Sequence, residues 1–331
     1  MPPTSSFQPA LALHGGAGTL QRGDMSAEME QTYRAALRRI AEAGVAVLAD
    51  GGSALDAVTE TVRLLEECEL FNAGKGSVYT ADARHEMDAS VMDGPSRRAG
   101  AVAGISRVRN PVLAARAVME HSGHVMLIGS AAEVFAQHQG LELVAPEWFG
   151  TPQRLRQLQR AREQAGVPLL DHDAQHLEAS MATAAQPPID ESTKMGTVGA
   201  VALDARGQLA AATSTGGMTM KRAGRVGDSP ILGAGCWADA AVAVSCTGTG
   251  EAFMRSAAAH ELSALMRLKG LSLAQAAEQV LWQELPSVQG QGGLIAVDAG
   301  GELLLGFNTE GMYRASGRVG EPVQVGVYKD E

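Results

Sequence analysis

A threonine at a mid-chain junction constrains this 331-residue chain more than any other feature. Gly196-Thr197-Val198-Gly199 follows a polar, Pro-containing stretch and opens directly into an apolar segment, 198–203, that reads as a strand. A Gly-Thr bond in such a place can break and leave Thr197 as a new N-terminus. Its hydroxyl would then be the nucleophile and its own α-amine the base. The chain is therefore a candidate self-processing hydrolase.

The residues that follow support that reading on geometric grounds. A segment at 208–215 returns after Ala205-Arg206-Gly207, and Gly in the last loop position suits a hairpin. Pairing centred on Arg206 sets Asp204 opposite Gln208 and Thr197 opposite Thr215, within one residue of register. Opposed residues share a sheet face with Cβ atoms roughly 4.5–5.5 Å apart, so a second threonine hydroxyl is expected beside the first. A third strand, 241–246, runs into Thr247-Gly248-Thr249-Gly250-Glu251 and then a long helix. By itself that is an ordinary strand-to-helix turn; beside Thr197 and Thr215 it offers backbone N–H groups for a developing oxyanion.

Several motifs together carry a family resemblance. Gly196-Thr197-Val198-Gly199, Thr213-Ser214-Thr215-Gly216-Gly217, Gly224-Arg225-Val226-Gly227-Asp228-Ser229-Pro230 and Thr247-Gly248-Thr249-Gly250-Glu251 resemble the plant-type asparaginase or isoaspartyl peptidase family of N-terminal-nucleophile hydrolases. His14-Gly15-Gly16-Ala17-Gly18, Phe71-Asn72-Ala73-Gly74-Lys75-Gly76-Ser77, Met87-Asp88-Ala89-Ser90-Val91-Met92-Asp93-Gly94 and Phe307-Asn308-Thr309-Glu310-Gly311-Met312 fit it too. The likeness spans about 11–315 and leaves 150–192 unplaced.

The resemblance implies an α+β fold, a four-layer αββα sandwich, cleaved at Gly196-Thr197 into an α subunit, 1–196, and a β subunit, 197–331. Residues of about 166–196 are read as an exposed linker. It implies Thr197 as nucleophile, Thr215 as the group that orients it, and Thr247 with the Gly248 N–H as oxyanion hole. Arg225 would take the substrate α-carboxylate and Asp228 the α-ammonium, with the backbone of Gly248 and Gly250 completing the pocket. Without the motif, Arg225 and Asp228 would read as a surface ion pair. Asn72 is expected to brace the nucleophile region, against the alternative of an ordinary buried asparagine. Backbone carbonyls at Leu65, Glu66, Cys68, Phe71, Ala73 and Lys75 would hold a structural sodium ion. No catalytic cofactor is implied, and the partners are small substrates, L-asparagine or β-aspartyl dipeptides, with assembly as a homodimer of αβ units.

Composition excludes more than it selects. A net charge of −10 argues against nucleic-acid or anionic-membrane binding. No apolar run is long enough to cross a bilayer, and Met1–Ser6 lacks the basic and apolar regions of a secretion signal. Cys68, Cys236 and Cys246 form neither a disulfide framework nor a zinc spacing, so a reducing, cytoplasmic home is expected. His172 and His176, beside Asp171 and Asp173, read as a solvated part of the linker rather than a metal site.

Along the chain, a strand is expected at 10–14, a helix at 27–50, and a second helix capped by Ser53 with Leu55, Val58, Val62 and Leu65 on one face. Strands follow at 87–93 and 99–106, a helix starts at Asn110-Pro111, and a strand at 125–128 precedes a Ser130/Glu133 capping pair. Thr151-Pro152 opens a helix to about 165; two helices lie within 250–285, and a last hairpin pairs 293–298 with 302–307.

Departures from the family pattern are Met220 where asparagine is common, Arg222-Ala223, and Trp237-Ala238-Asp239-Ala240; these are expected to flank the pocket. Alternatives to an isoaspartyl peptidase with L-asparaginase activity are a glycosylasparaginase, a threonine aspartase, or a non-maturing protein of the same fold.

Overall fold

The computed structural model describes residues 8–20, 22–23, 25–164 and 196–331. The proposed linker, apart from Gly196, and the His172/His176 pair lie outside the described residues, as does Met1–Ser6.

Alternation along the strands builds the architecture. In β5, Val198–Leu203, the side chains of Val198, Ala200 and Ala202 join one apolar cluster while Val201 and Leu203 join another. A strand whose successive side chains point to opposite faces can serve two cores only if both faces are covered. The eight-stranded sheet runs β12-β11-β1-β5-β6-β2-β3-β4. Its members are β1 (Ala10–Gly18), β2 (Met87–Asp93), β3 (Ala99–Ile105), β4 (Met126–Ile128), β5, β6 (Leu209–Thr215), β11 (Gly311–Arg318) and β12 (Gln324–Tyr328). Every pairing is antiparallel except β3 with β4.

Against one face of this sheet pack α1 (Ala27–Ala49), α2 (Ala54–Glu66) and α3 (Pro111–His121). Ser53 and Asp56 close a capping box at the head of α2. The other face meets a four-stranded sheet, β10-β9-β8-β7, made of β7 (Cys236–Ala238), β8 (Val242–Gly248), β9 (Gly292–Asp298) and β10 (Leu303–Phe307). Its far face buries Val242, Val244, Cys246, Leu294 and Ala296 against α6 (Gly250–Ser256), α7 (Ala258–Lys269) and α8 (Leu273–Gln279). The layers run helix, sheet, sheet, helix, as the α+β sandwich expectation required. At the edge of the large sheet α4 (Gly129–His138) packs on β3 and β4, while α5 (Pro152–Gln164) is tied to the 76–81 segment by Arg154 and Arg162, which donate to the Gly76 and Ala81 carbonyls.

The hairpin register matches the expected one: Val198 pairs Ser214 and Leu203 pairs Leu209. Asp204 fixes the turn by accepting the N–H groups of Arg206 at 2.9 Å and Gln208 at 3.0 Å.

Other expectations need correction. Ser130 does not cap α4, whose N-cap is Ile128 without a side-chain bond. Glu133 instead turns back to accept the Ser106 and Arg107 N–H groups at 2.6 and 3.0 Å, pairing donors that the end of β3 leaves without a ladder partner. The long helix after Thr247 is broken at Ala257, which takes a left-handed conformation (φ 48°) between α6 and α7. Leu55 is only partly buried. The strands β7, β11 and β12 were not foreseen.

Met220 also sits in the left-handed region, at φ 64°, with its N–H donated to the Tyr79 carbonyl at 2.8 Å. Asparagine tolerates that conformation better than methionine, which gives its frequency in the family pattern a backbone cause. Met220→Asn is expected to stabilise the protein by about 1 kcal/mol, read from urea denaturation midpoints.

Candidate active site

The alternation that builds the sheets also collects the polar residues. On the two faces that meet between the sheets, β1 contributes Ala12 and then His14, β5 contributes Val201 and then Gly199 and Thr197, and β6 contributes Ala211 and then Thr213 and Thr215. From the small sheet β8 brings Ala243, Ser245 and Thr247. At one end of the inter-sheet core the apolar filling thus gives way to hydroxyls and an imidazole, all buried.

The Thr197 hydroxyl donates to the Thr215 hydroxyl at 3.3 Å, and Thr215 Oγ1 also accepts the Gly217 N–H at 2.9 Å. With two donors aimed at it, Thr215 Oγ1 is an acceptor that polarises the Thr197 O–H. Asn72 donates to the Gly217 carbonyl at 2.6 Å, accepts the Val78 N–H at 2.9 Å and receives the Gly216 N–H on its own carbonyl at 3.0 Å. A Cβ added to Gly196 would come within 3.0 Å of Asn72 Cβ, so Asn72 packs directly against the residue before the nucleophile.

Thr247 is fully buried, and its Oγ1 accepts the Ala17 N–H at 3.3 Å, leaving its own hydrogen to donate. Gly248 has φ 153°, and a Cβ there would lie 2.4 Å from the Gln291 carbonyl oxygen. No other residue fits that corner.

Thr197, Thr215, Arg225, Asp228, Gly248 and Gly250 line one pocket, with Gly196, Gly217, Met218, Gly227 and Ser229. Thr247, Met220, Arg222 and Trp237 are not among the residues that line it. Trp237 instead packs between the small sheet and its helices and donates to Asp239 at 3.1 Å.

Asp228 is buried, and its Oδ2 has no hydrogen-bond partner among the described residues. Burial pushes its carboxyl up to about 7, with Arg225 pulling the other way. Arg225 makes a two-bond pair with Glu251, Nε to Oε1 at 2.8 Å and Nη2 to Oε2 at 2.7 Å. It is a half-enclosed ion pair at the pocket wall rather than a surface one.

Sequence reasoning missed the imidazole below the nucleophile. His14 bonds the Thr197 carbonyl through Nδ1 at 2.9 Å and the Ser245 hydroxyl through Nε2 at 2.9 Å, and Ser245 meets Thr213 at 2.7 Å. Burial holds the ring neutral, its pKa lowered to about 3. A carbonyl can only accept, so the proton of the neutral ring sits on Nδ1 and Nε2 accepts from Ser245.

The loop after α2 is closely packed on its own backbone. It folds back so that Lys75 N–H reaches the Glu66 carbonyl at 2.7 Å, and Cβ atoms at Gly74 and Gly76 would lie 2.5 Å from the Glu66 and 2.7 Å from the Phe71 carbonyl oxygens. Each carbonyl that already accepts an N–H keeps a second lone pair. Among the described residues no cluster of His, Cys, Asp or Glu side chains could hold a metal.

Two packed sheets between helical layers, with a threonine at the head of a central strand, define the N-terminal-nucleophile class of hydrolases. A family model described as asparaginase matches residues 7–327, and the chain belongs to that family. A protein of Escherichia coli (strain K12) named isoaspartyl peptidase is 56% identical over 322 residues, covering 97% of this chain and 96% of its own. An Arabidopsis thaliana protein named probable isoaspartyl peptidase/L-asparaginase 2 is 42% identical over 92% of this chain and 94% of its own. A Pyrobaculum calidifontis protein named plant-type L-asparaginase is 40% identical over 94% of this chain and 97% of its own. Among the described residues no helix is long and apolar enough to cross a membrane.

Proposed function

We propose that this chain is an isoaspartyl peptidase with L-asparaginase activity that matures by cutting itself at Gly196-Thr197. The observation that carries the reading is one pocket holding the Thr197–Thr215 hydroxyl pair, the Arg225 guanidinium and the unpartnered carboxylate oxygen of Asp228. A substrate with an α-carboxylate, an α-ammonium and a β-amide presents the groups those side chains complement.

In maturation the Thr197 hydroxyl attacks the Gly196 carbonyl carbon, the acyl group moves from nitrogen to oxygen, and water hydrolyses the ester. The cut yields an α subunit, 1–196, and a β subunit, 197–331. In the unbroken chain Gly196 lines the pocket and the space left is about 10 Å³, room for one water molecule. Scission therefore has a second role: it frees Gly196 to leave the wall of the site the substrate needs.

In turnover the freed α-amine takes the Thr197 proton, since an amine with an ordinary pKa of about 7.7–8.0 is substantially unprotonated at neutral to mildly basic pH. The hydroxyl oxygen attacks the β-carbonyl, the amine leaving group takes the proton, and water hydrolyses the β-aspartyl ester. The Thr247 hydroxyl and the Gly248 N–H are proposed to hold the oxyanion; losing such a donor costs about 2.7–4 kcal/mol. The carbonyls of Leu65, Glu66, Cys68, Phe71, Ala73 and Lys75 are proposed to hold a sodium ion with a purely structural role, and the cleaved unit to assemble as a homodimer in the cytoplasm.

Mass spectrometry of aged protein, followed by assays with L-asparagine and β-aspartyl-leucine, tests the reading. An unbroken chain that hydrolyses either substrate would overturn it.

The pH profile adds a check. Free Asp228, near 7, loses its charge on acidification and with it the attraction for the α-ammonium. The nucleophile's amine is protonated over a neighbouring range. On the acid side kcat/KM is expected to fall with two protonations, and kcat, measured with Asp228 already paired, with one.

A further inference from the structure

Arg225 has to be held still to recognise a carboxylate, and the structure shows what holds it. Its guanidinium passes between two glycines: a Cβ on Gly227 would lie 2.9 Å from Nη1, and a Cβ on Gly250 2.9 Å from Nη2. Both glycines line the pocket, as Arg225 does, whereas Glu251 does not. The guanidinium carries five N–H donors in a flat fork. Glu251 takes the Nε edge, through Nε at 2.8 Å and Nη2 at 2.7 Å. Among the described residues the outer edge, Nη1 with the second hydrogen of Nη2, has no hydrogen-bond partner, and both nitrogens lie beside the two pocket-lining glycines.

We propose that Glu251 is a positioning residue for substrate recognition: it clamps Arg225 by one edge so that the other meets the α-carboxylate in two parallel hydrogen bonds. The clamp rests on the reading of Arg225 as the carboxylate partner. It removes the swing of a long side chain before substrate arrives, and a fork already fixed loses less freedom on binding. It also gives the enclosed cation a partner while the pocket is empty. Glu251 stands in the first turn of α6, one residue after Gly250, so the helix start sets pocket wall and clamp together. A competing role, in which Glu251 occupies Arg225 and must be displaced, would place its carboxylate on the pocket side.

The test uses matured protein carrying Glu251→Ala, with steady-state kinetics on L-asparagine and β-aspartyl-leucine. KM is expected to rise about tenfold with kcat reduced far less, because the lost interaction is one of orientation in binding. A β-aspartyl-leucine analogue whose aspartyl α-carboxylate is a carboxamide should show almost no difference between wild type and variant. In an Arg225→Ala background the same change should have no further effect, the signature of a residue acting through its partner. Glu251→Gln, which keeps the volume and one acceptor, should fall between wild type and Glu251→Ala, and it carries the test if the alanine variant does not mature. An unchanged or lowered KM in Glu251→Ala overturns the clamp and leaves the Arg225 reading standing. An unchanged KM in Arg225→Ala overturns both.

Discussion

A Thr197→Ala chain is expected to run as a single band near 34.4 kDa however long it is stored, and to hydrolyse neither L-asparagine nor β-aspartyl-leucine. Both failures have one cause. The hydroxyl that would cut the bond before residue 197 is the hydroxyl that would attack the substrate, so its loss removes maturation and turnover together. The expected fall in activity is on the order of 10⁴-fold or more, as for other enzymes stripped of a nucleophile. Misfolding would be a poor explanation of such a result. Alanine keeps the backbone conformation, and His14 still finds the carbonyl of residue 197. Thr197→Ser, which retains the oxygen, should mature and turn over more slowly. A variant without any hydroxyl at 197 that still yields two fragments would show that the cut is made by another group, and self-processing by Thr197 would be abandoned.

What was legible in the sequence is what alternation and turn chemistry control. The pairing of Thr197 with Thr215 needed only a loop length and the period of a strand, and the structure places their hydroxyls 3.3 Å apart. The same period predicts that a polar residue two positions from an inter-sheet apolar one will face the same layer, as Ser245 does after Ala243. What was hidden depends on contacts between distant segments. His14 and Ser245 are 231 positions apart, and nothing local to either announces a bond. Glu251 looked like one more acidic residue at a helix start, where its charge is ordinary. The strand β11 went unread because Gly311-Met312-Tyr313-Arg314-Ala315-Ser316-Gly317-Arg318 mixes glycine and arginine into a segment buried between β1 and β12. There Arg314 satisfies its guanidinium with the backbone carbonyls of Met312, Tyr328 and Glu331. The break at Ala257 has no sequence signal, since alanine is a strong helix former and only packing forces it to φ 48°.

Gly199→Ala is the second change expected to be severe, for a reason that no motif states. Gly199 faces the inter-sheet layer opposite β8, and a Cβ there would lie 1.9 Å from Ser245 Oγ, 2.6 Å from His14 Nε2 and 3.0 Å from the Ala212 carbonyl oxygen. None of the three can withdraw cheaply. Ser245 donates to His14, His14 donates to the Thr197 carbonyl, and Thr213 shares its hydrogen between Ser245 and the Gly235 carbonyl. Moving Ser245 or the ring leaves buried donors and acceptors unmade, at about 1–3 kcal/mol each, on top of a similar overpacking cost. A loss of roughly 3 kcal/mol or more is therefore expected, read as a fall in urea midpoint and as a chain that matures slowly or not at all. Removing the serine hydroxyl as well should not rescue it, because the Nε2 contact at 2.6 Å remains. Ser245→Ala alone should fold and mature, more slowly than wild type, since the imidazole keeps its bond to the carbonyl but loses the donor that fixes its far side. A Gly199→Ala chain with wild-type stability and full processing would mean that the buried line of hydroxyl, imidazole and carbonyl does not hold the cut end of the β subunit in place.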